Sequence, residues 1–481
     1  MAASRWISIA SGTLAALLLL LPGTPARAQT SRQLPPLLLF NNPSGMAATY
    51  STAGSIDLGN PFFKVFGTNG RSCDTCHQAS AGWSITPANV QARFRATRGT
   101  DPIFRTNDGS VSPSADVSTL AARRRAYAML LTKGLIRIGL PIPPNAEFRL
   151  VGVDDPYGYA SAAELSLFRR PLPATNLRFL SAVMWDGRET FRDASSTDCL
   201  AGTSICFASI HSDLADQANT ATLGHAQALQ ALTQAQREAI IDFESSLYTA
   251  QVYDDGAGRL TARGALGGPV YLSGVPFHLG INDVLAGDYA THAAFDPNVF
   301  TLYGSWDTVG HHAPDPGELR DRSEARAAVA RGERLFNTKP IAITGVKGLN
   351  DDLNVAMIAG TCTTCHDSPN AGDHSTPVPL DIGIADASRR TPDMPLYTLQ
   401  NISTGETIQT TDPGRALITG KWKDIGRFKG PVLRGLAARA PYFHDGFAKD
   451  LPAVVDFYNQ RFGIGFTQQE KDDLVAFLKT L

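Results

Sequence analysis

The sequence lacks an excess of charge of either sign. Its 481 residues include 43 lysines and arginines against 45 aspartates and glutamates, which gives a formal net charge of -2. Nucleic-acid binding needs a basic surface that neutralises phosphates, so this balance argues against a nucleic-acid partner. Hydrophobic residues make up 43% and charged residues 18%, which excludes a largely disordered chain.

Long hydrophobic runs are also missing. The longest one, residues 7–21, is shorter than the roughly 20 residues that a membrane helix needs. It follows Arg5 and precedes Ala26-Arg27-Ala28, which is the pattern of a secretory signal peptide with its cleavage site. The sequence therefore predicts cleavage near Ala28, a periplasmic or secreted mature protein, and no stable membrane span.

Cysteine is scarce, and four of the six cysteines fall into two copies of one pattern, Cys73–His77 and Cys362–His366, each reading Cys-x-x-Cys-His. Two cysteines three residues apart share one face of a helical turn, where they can form thioether links to a haem. The histidine that follows can then bind the iron. A redox dithiol or a zinc site would leave both histidines unexplained. The pattern predicts two covalently bound haem c groups, with these residues as attachment points and iron ligands: Cys73, Cys76, His77, Cys362, Cys365 and His366.

The other two cysteines, Cys199 and Cys206, lie in a polar stretch of the chain. In an exported protein such a pair predicts a local disulfide. It would constrain a loop and would take no part in the chemistry.

Helical signals surround both haem motifs. Residues 233–236 and 467–470 each form a capping box, and Ser118 and Ser323 are candidate N-caps. Apolar residues recur at helical spacing over 451–462. These segments predict helical units around each motif. Residues 250–320 are instead rich in glycine, proline and aromatic residues, and this composition predicts loops or short strands.

Two further motifs complete a family pattern. Met184–Arg188 (Met-Trp-Asp-Gly-Arg) lies between the haem motifs, and Ala440–Gly446 (Ala-Pro-Tyr-Phe-His-Asp-Gly) follows the second one. In this order the four motifs resemble the diheme cytochrome c peroxidase and MauG superfamily, in which two c-type haem domains face each other. The resemblance covers about 60 to 245 and 323 to 481. It implies an oxidoreductase driven by hydrogen peroxide, with electron transfer between two haems.

The expected fold is mostly α, with two cytochrome c-like haem domains facing each other and a loop-rich insertion between them. The expected organisation is a signal peptide at 1–28, an N-terminal haem domain with the reactive haem at 29–249, an insertion at 250–322, and a C-terminal haem domain with the relay haem at 323–481. The insertion is extra relative to the plain two-domain pattern of the family.

The resemblance also implies roles for single residues. The haem on His77 would be the reactive one, and the haem on His366 would relay electrons. Trp185 matches the tryptophan that lies between the two haems in this family, where it can carry an electron or a hole. The alternative for Trp185 is a large aromatic side chain that fills the interface.

The sixth ligand of the relay haem separates the branches of the family. In the peroxidases it is a methionine fourteen residues after the histidine of the second motif, and in MauG-type enzymes it is a tyrosine. Tyr458 stands at this position. A phenolate is a hard anionic donor, whereas a thioether raises the reduction potential. Met394, flanked by prolines, is the alternative ligand, and Tyr458 would then be a helix core residue.

The chain departs from the peroxidase pattern at two places. Thr222 stands where the peroxidases have a catalytic glutamate, so His225 becomes the candidate acid and base for peroxide cleavage. The calcium ion usual in this family would use backbone carbonyls near Arg439 and Pro441, but its asparagine ligand has no clear match. Calcium therefore stays an open alternative beside the two haems.

The sequence thus predicts peroxide-driven oxidation, with a small redox protein or an organic molecule as electron donor. Two alternatives stay open: an O2-using diheme dioxygenase resembling the rubber oxygenases, and a non-catalytic diheme electron carrier. Reaction with O2 would separate the first from a peroxidase, and binding of cyanide would separate an enzyme from a carrier with two six-coordinate irons.

Overall fold

A computed structural model describes residues 33–190, 210–307 and 320–481. The predicted signal peptide and the predicted Cys199–Cys206 disulfide lie outside the described residues. Within these three ranges, no helix has the length and apolar character needed to cross a membrane.

The helices are mostly short and are spread along the chain. In the described residues they are α1 (Pro87–Thr97), α2 (Leu120–Ala126), α3 (Ala128–Lys133), α4 (Ile210–Gly224), α5 (Gln234–Ser245), α6 (Pro269–Leu272), α7 (Arg320–Thr338), α8 (Ala416–Thr419), α9 (Leu451–Phe462) and α10 (Gln468–Lys479).

The local helix signals agree with most of these boundaries. Capping boxes at Thr233 and Thr467 begin α5 and α10 as predicted, since each threonine hydroxyl accepts the N–H of the residue three positions later. Helix α9 occupies the predicted apolar segment. Two starts differ from the prediction. Helix α2 is capped by Thr119, and Ser323 lies inside α7, which already includes Arg320.

Strands run between the helices and form several small sheets. They are β1 (Gln33–Leu34), β2 (Leu37–Asn42), β3 (Gly45–Ser51), β4 (Ile56–Asp57), β5 (Ile136–Leu140), β6 (Phe148–Asp154), β7 (Leu165–Arg169), β8 (Leu247–Asp254), β9 (Gly258–Arg259), β10 (Ile341–Thr344), β11 (Met357–Gly360), β12 (Leu396–Asn401) and β13 (Thr407–Thr410).

The prediction of a mostly α fold is wrong, because 31% of the described residues are helical and 18% are strand. Strand β6 pairs with β12, which lies more than two hundred residues later in the chain, and β12 also pairs with β13. Residues of β6 and β12 such as Phe148 and Leu399 are buried in one cluster. Such pairing is decided by distant partners and by burial, so the helical signals beside the haem motifs could not reveal it.

A four-stranded sheet with the order β2-β3-β8-β9 supports the first haem motif. Thr49 of β3 and Thr249 of β8 lie opposite each other, and their hydroxyl oxygens are 2.8 Å apart. The indole N–H of Trp83 donates to the Thr49 hydroxyl at 2.9 Å. This sheet therefore holds the segment that follows Cys73–His77.

The second haem motif lies beside a core built by α7, α9 and α10. The residues around Tyr303 belong to the stretch that the sequence predicts to be loop-rich, and they pack into the same core. Glu333 of α7 accepts the backbone N–H groups of Leu302 and Tyr303 at 2.7 and 2.9 Å. Burial raises the pKa of Glu333 to about 7. Gln33–Leu481 pack as one compact unit, and the domain boundaries given above stay a prediction.

Candidate functional site

Both Cys-x-x-Cys-His motifs form short 3-10 turns, Cys73–Thr75 and Cys362–Thr364. The backbone N–H of His77 donates to the carbonyl of Cys73 at 3.0 Å, and His366 makes the same bond to Cys362 at 3.2 Å. Each turn is closed by a capping box at its start. The two motifs thus share one local structure. In each motif this structure places the two cysteines and the histidine in the lining of one cavity, and each motif has its own cavity.

Both histidines are held in the same tautomer. The Nδ1 atom of His77 lies 3.1 Å from the carbonyl of Trp83, and Nδ1 of His366 lies 2.8 Å from the carbonyl of Gly372. A carbonyl only accepts, so Nδ1 carries the proton and Nε2 keeps its lone pair. Burial lowers the pKa of both rings, which favours the neutral form. Neutral imidazole with an oriented N–H is the form that binds a metal.

Two large cavities open at these motifs. We call the space at Cys73, Cys76 and His77 cavity 1, and the space at Cys362–His366 cavity 2. With their solvent-open parts, cavity 1 encloses about 1590 Å³ and cavity 2 about 1680 Å³. Most of the exposed surface in both linings is apolar. Two apolar spaces of nearly equal size, each with one attachment motif, fit two haem c groups.

One set of residues lines both cavities, and we call it the shared wall: Arg170, Pro171, Leu172, Pro173, Trp185, Lys429, Pro431 and Arg439. Trp185 is its only aromatic member. The indole N–H of Trp185 donates to the carbonyl of Arg170 at 2.8 Å, and its own carbonyl accepts the N–H of Lys429 at 2.9 Å. Trp185 therefore has a fixed orientation between the two candidate haem sites.

Three cations at the cavities, Lys429, Arg434 and Arg439, have no carboxylate within ion-pair distance in the described residues. Burial lowers the pKa of Lys429, and it lowers the pKa of Arg439 to about 10. Arg434 lines cavity 1, and its Nε and Nη2 atoms have no hydrogen-bond partner in the described residues. A haem carries two propionate carboxylates, and unpaired buried cations are the groups that such carboxylates would neutralise. The charge of the linings fits the group that the motifs imply.

His225 belongs to a small ionic group at cavity 1. Its Nδ1 lies 2.6 Å from Oδ2 of Asp108, whose other oxygen accepts a hydrogen bond from Arg71. Burial alone would raise the pKa of Asp108, but the hydrogen bonds and charges of His225 and Arg71 outweigh it and lower the pKa. His225 is thus oriented by a carboxylate. Thr222 also lines the cavity, but its hydroxyl is bonded to the carbonyl of Ala218 within α4.

Glu244 is a residue at cavity 1 that sequence reasoning missed. It is 5% exposed, its Oε2 atom has no hydrogen-bond partner among the residues that the structure describes, and burial raises its pKa to about 8. Its carboxyl group is therefore mostly protonated at neutral pH. The available signal was its spacing, since Glu244 lies four residues after the buried Ile240 and so occupies the apolar face of α5.

The two candidate ligands of the relay haem lie in different places. Tyr458 lines cavity 2 together with His366, and burial raises the pKa of its phenol. Met394 is buried in a separate cluster with Met129 and Phe168, and it is absent from the lining of cavity 2. Only Tyr458 is therefore brought to the second motif in the described structure.

Two further histidines are buried. His374 is 7% exposed and lines cavity 2. His444 is fully buried and stacks on Phe428 at a ring distance of 4.3 Å, and it lines neither cavity. Both its ring nitrogens lack a hydrogen-bond partner in the described residues.

Comparison with known proteins gives relatives of one kind. The cytochrome-c peroxidase IdrP2 of Denitromonas iodatirespirans is 34% identical over 132 residues, which is 25% of this chain and 36% of the relative. IdrP1 of the same organism, also a cytochrome-c peroxidase, is 32% identical over 183 residues, which is 35% of this chain and 43% of the relative. Over these segments the chain is similar to cytochrome c peroxidases. The homology spans less than half the length of either peroxidase.

Two other comparisons add little to this homology. No family model matches the chain. A solved structure of a MauG-like protein associated with microbial copper homeostasis aligns with 67% of this chain and 77% of its own, at a TM-score of 0.29 and 17% identity. This likeness is too weak to support a conclusion about the fold or the function of the chain.

Proposed function

We propose that this chain is an exported diheme c-type cytochrome that uses hydrogen peroxide as oxidant and moves electrons between two haems. One observation carries the proposal: two cavities, each with its own Cys-x-x-Cys-His motif, share a wall that contains Trp185. The homology to cytochrome c peroxidases supports the same reaction class. A small redox protein or an organic molecule would supply the electrons.

Cys73, Cys76, Cys362 and Cys365 would attach the two haems, and His77 and His366 would bind the irons. The haem supplies the redox chemistry when it is bound. The chain orients each imidazole through a backbone carbonyl and offers cations to the carboxylates of the haem. Mostly apolar linings limit the access of water to both sites.

Residues at cavity 1 would handle the protons of peroxide cleavage. A proton must leave one peroxide oxygen and reach the other, which is work for a positioned acid or base. His225 is oriented by Asp108, so its other ring nitrogen can give or take a proton. Glu244 holds a proton at neutral pH in the same lining. These two residues would transfer the protons during peroxide cleavage. Thr222 would not, because its hydroxyl already donates to the carbonyl of Ala218.

Trp185 would carry the electron or hole between the cavities, and Tyr458 would be the sixth ligand at the second one. Trp185 has the aromatic system and the position that a relay needs. Tyr458 lines cavity 2, whereas Met394 does not. A phenolate ligand favours the ferric state, which suits a haem pair that stores oxidising equivalents.

The domain organisation given above belongs to the same proposal. Residues 29–249 and 323–481 would each hold one haem, with 250–322 between them, and a signal peptide at 1–28 would direct the protein to the periplasm. Haem c attachment also requires a maturation system, so the protein must be produced together with one.

Haem content is the first test of this proposal. A pyridine haemochrome assay should find two haem c groups per chain. The double variants Cys73→Ala/Cys76→Ala and Cys362→Ala/Cys365→Ala should each keep one haem. Two haems retained in either double variant would contradict the assignment of that motif.

Low-temperature EPR before and after one equivalent of peroxide tests the reaction and the sixth ligand together. The oxidised protein should show one high-spin and one low-spin haem and should consume peroxide. Tyr458→Phe should lose the low-spin signal, whereas Met394→Leu should keep it. Two low-spin haems that ignore peroxide would indicate an electron carrier, and oxidation by O2 without peroxide would indicate an oxygenase.

A further inference from the structure

The side chain of Arg170 is buried between segments from both halves of the chain. Its Nη1 donates to the carbonyl of Lys133 at 2.7 Å. Its Nη2 donates to the carbonyls of Ile85 and Arg439 at 2.6 and 3.0 Å. Arg170 is 5% exposed. One guanidinium thus joins three separate segments through their backbone oxygens.

The backbone of Arg170 continues this junction. Its N–H donates to the carbonyl of His444 at 2.6 Å, and its carbonyl accepts the indole N–H of Trp185 at 2.8 Å. Arg170 therefore fixes both the chain around Arg439 and the aromatic ring in the shared wall.

A calcium ion bound as the family resemblance implies would compete with Arg170 for the Arg439 carbonyl. Calcium takes six to eight oxygen ligands at about 2.3–2.6 Å, usually with carboxylates among them. The Arg439 carbonyl, which the family resemblance suggests as a ligand, already accepts a hydrogen bond from Arg170. The charged or ionisable groups that act on the guanidinium are Arg439 and the phenol of Tyr442, and no carboxylate is among them.

The wider surroundings do not fit an ion either. In residues 33–190, 210–307 and 320–481, no group of three or more histidine, cysteine, aspartate or glutamate side chains could hold a metal. Lys429 and Arg439 add two positive charges to the shared wall. A divalent cation beside Arg170 would be repelled by these charges.

We propose that the guanidinium of Arg170 takes the place of the calcium ion expected at this junction, so that the protein needs no calcium. The planar fork of an arginine suits carbonyls that approach from three directions. Because the guanidinium is covalently part of the chain, a chelator cannot remove it. The proposal concerns the group that joins the segments of Ile85, Lys133 and Arg439. It does not depend on which oxidant reacts with the haems.

Calcium analysis of the haem-loaded protein tests the proposal. After purification and dialysis the wild type should contain no stoichiometric calcium by atomic emission. Its thermal unfolding midpoint should be the same in EGTA and in millimolar calcium chloride. Stoichiometric calcium in the wild type, or a midpoint that EGTA lowers, would overturn the proposal even if no variant folds.

Arg170→Asn provides the converse test. The substitution leaves the three carbonyls without their cation, so the midpoint should fall. Calcium chloride should then raise it, whereas magnesium chloride should do so less, because magnesium demands a tighter octahedral geometry. Arg178→Asn, at an exposed position, is the matched control and should behave like the wild type in all buffers. A folded Arg170→Asn protein that gains nothing from calcium would count against the proposal.

Discussion

Glu244 should make the stability of the protein depend on pH in a range where most carboxyl groups do not titrate. It is buried in the lining of cavity 1, and within the described parts of the chain its Oε2 atom lacks a hydrogen-bond partner. Burial raises its pKa from 4.5 to about 8. The perturbation that isolates this effect is Glu244→Gln, which keeps the shape of the side chain and removes the ionisable group.

The sign of the effect follows from the two pKa values. Below pH 4.5 the carboxyl is neutral in both the folded and the unfolded chain, so it has no effect on stability. As the pH rises to about 8, the unfolded chain releases the proton and the folded chain keeps it, so stability is lost progressively. A difference of about 3.5 units corresponds to about 5 kcal/mol, at 1.36 kcal/mol per unit.

Urea unfolding of the haem-loaded protein, followed by circular dichroism, measures this difference. Between pH 4.5 and pH 8, the free energy of unfolding of the wild type should fall by about 5 kcal/mol relative to Glu244→Gln. Asp242→Asn is the matched control, because Asp242 is exposed on the same helix α5. It should follow the wild type. Parallel pH profiles for the wild type and Glu244→Gln would refute the reasoning.

Three further predictions concern the wall and the ionic groups. Asp186→Asn should lower the free energy of unfolding by about 3 kcal/mol in urea, because it removes a charge from the buried pair with Arg169; an unchanged midpoint would contradict this. Trp185→Phe should keep both haems but should slow electron transfer between them, as measured by stopped-flow reduction. An unchanged rate would indicate that Trp185 only packs between the two cavities. His225→Gln should lower kcat/KM for peroxide by about 100-fold with unchanged resting spectra. Wild-type turnover in that variant would leave Glu244 as the proton donor.

Much of the chemistry could be predicted from short stretches of sequence. The Cys-x-x-Cys-His spacing requires only one turn of chain to bring two thiols and an imidazole together, so it indicated both candidate haem sites. The capping boxes at Thr233 and Thr467 are equally local, and they predicted where two helices begin. Such patterns are reliable because all interacting groups lie within a few residues of each other.

The sheets could not be predicted in this way. Strand β6 pairs with β12, and β3 pairs with β8, although each pair is separated by about two hundred residues of chain or more. The helical signals near the motifs say nothing about such pairs, which is why the expectation of a mostly α fold failed. Strand formation depends on the partner strand and on burial as well as on the segment itself.

The position of single polar side chains also depended on the whole fold. The sequence position of Tyr458 predicted it as a ligand. Only the fold shows that Tyr458 lines cavity 2, whereas Met394 lies in a separate cluster. The raised pKa of Glu244 comes from the apolar residues packed around it. The role inferred for Arg170 comes from three carbonyls that only folding brings together. The sequence alone thus specifies which groups can bind a haem, because that information is local, whereas tertiary packing decides their neighbours, their protonation and the charge between the two sites.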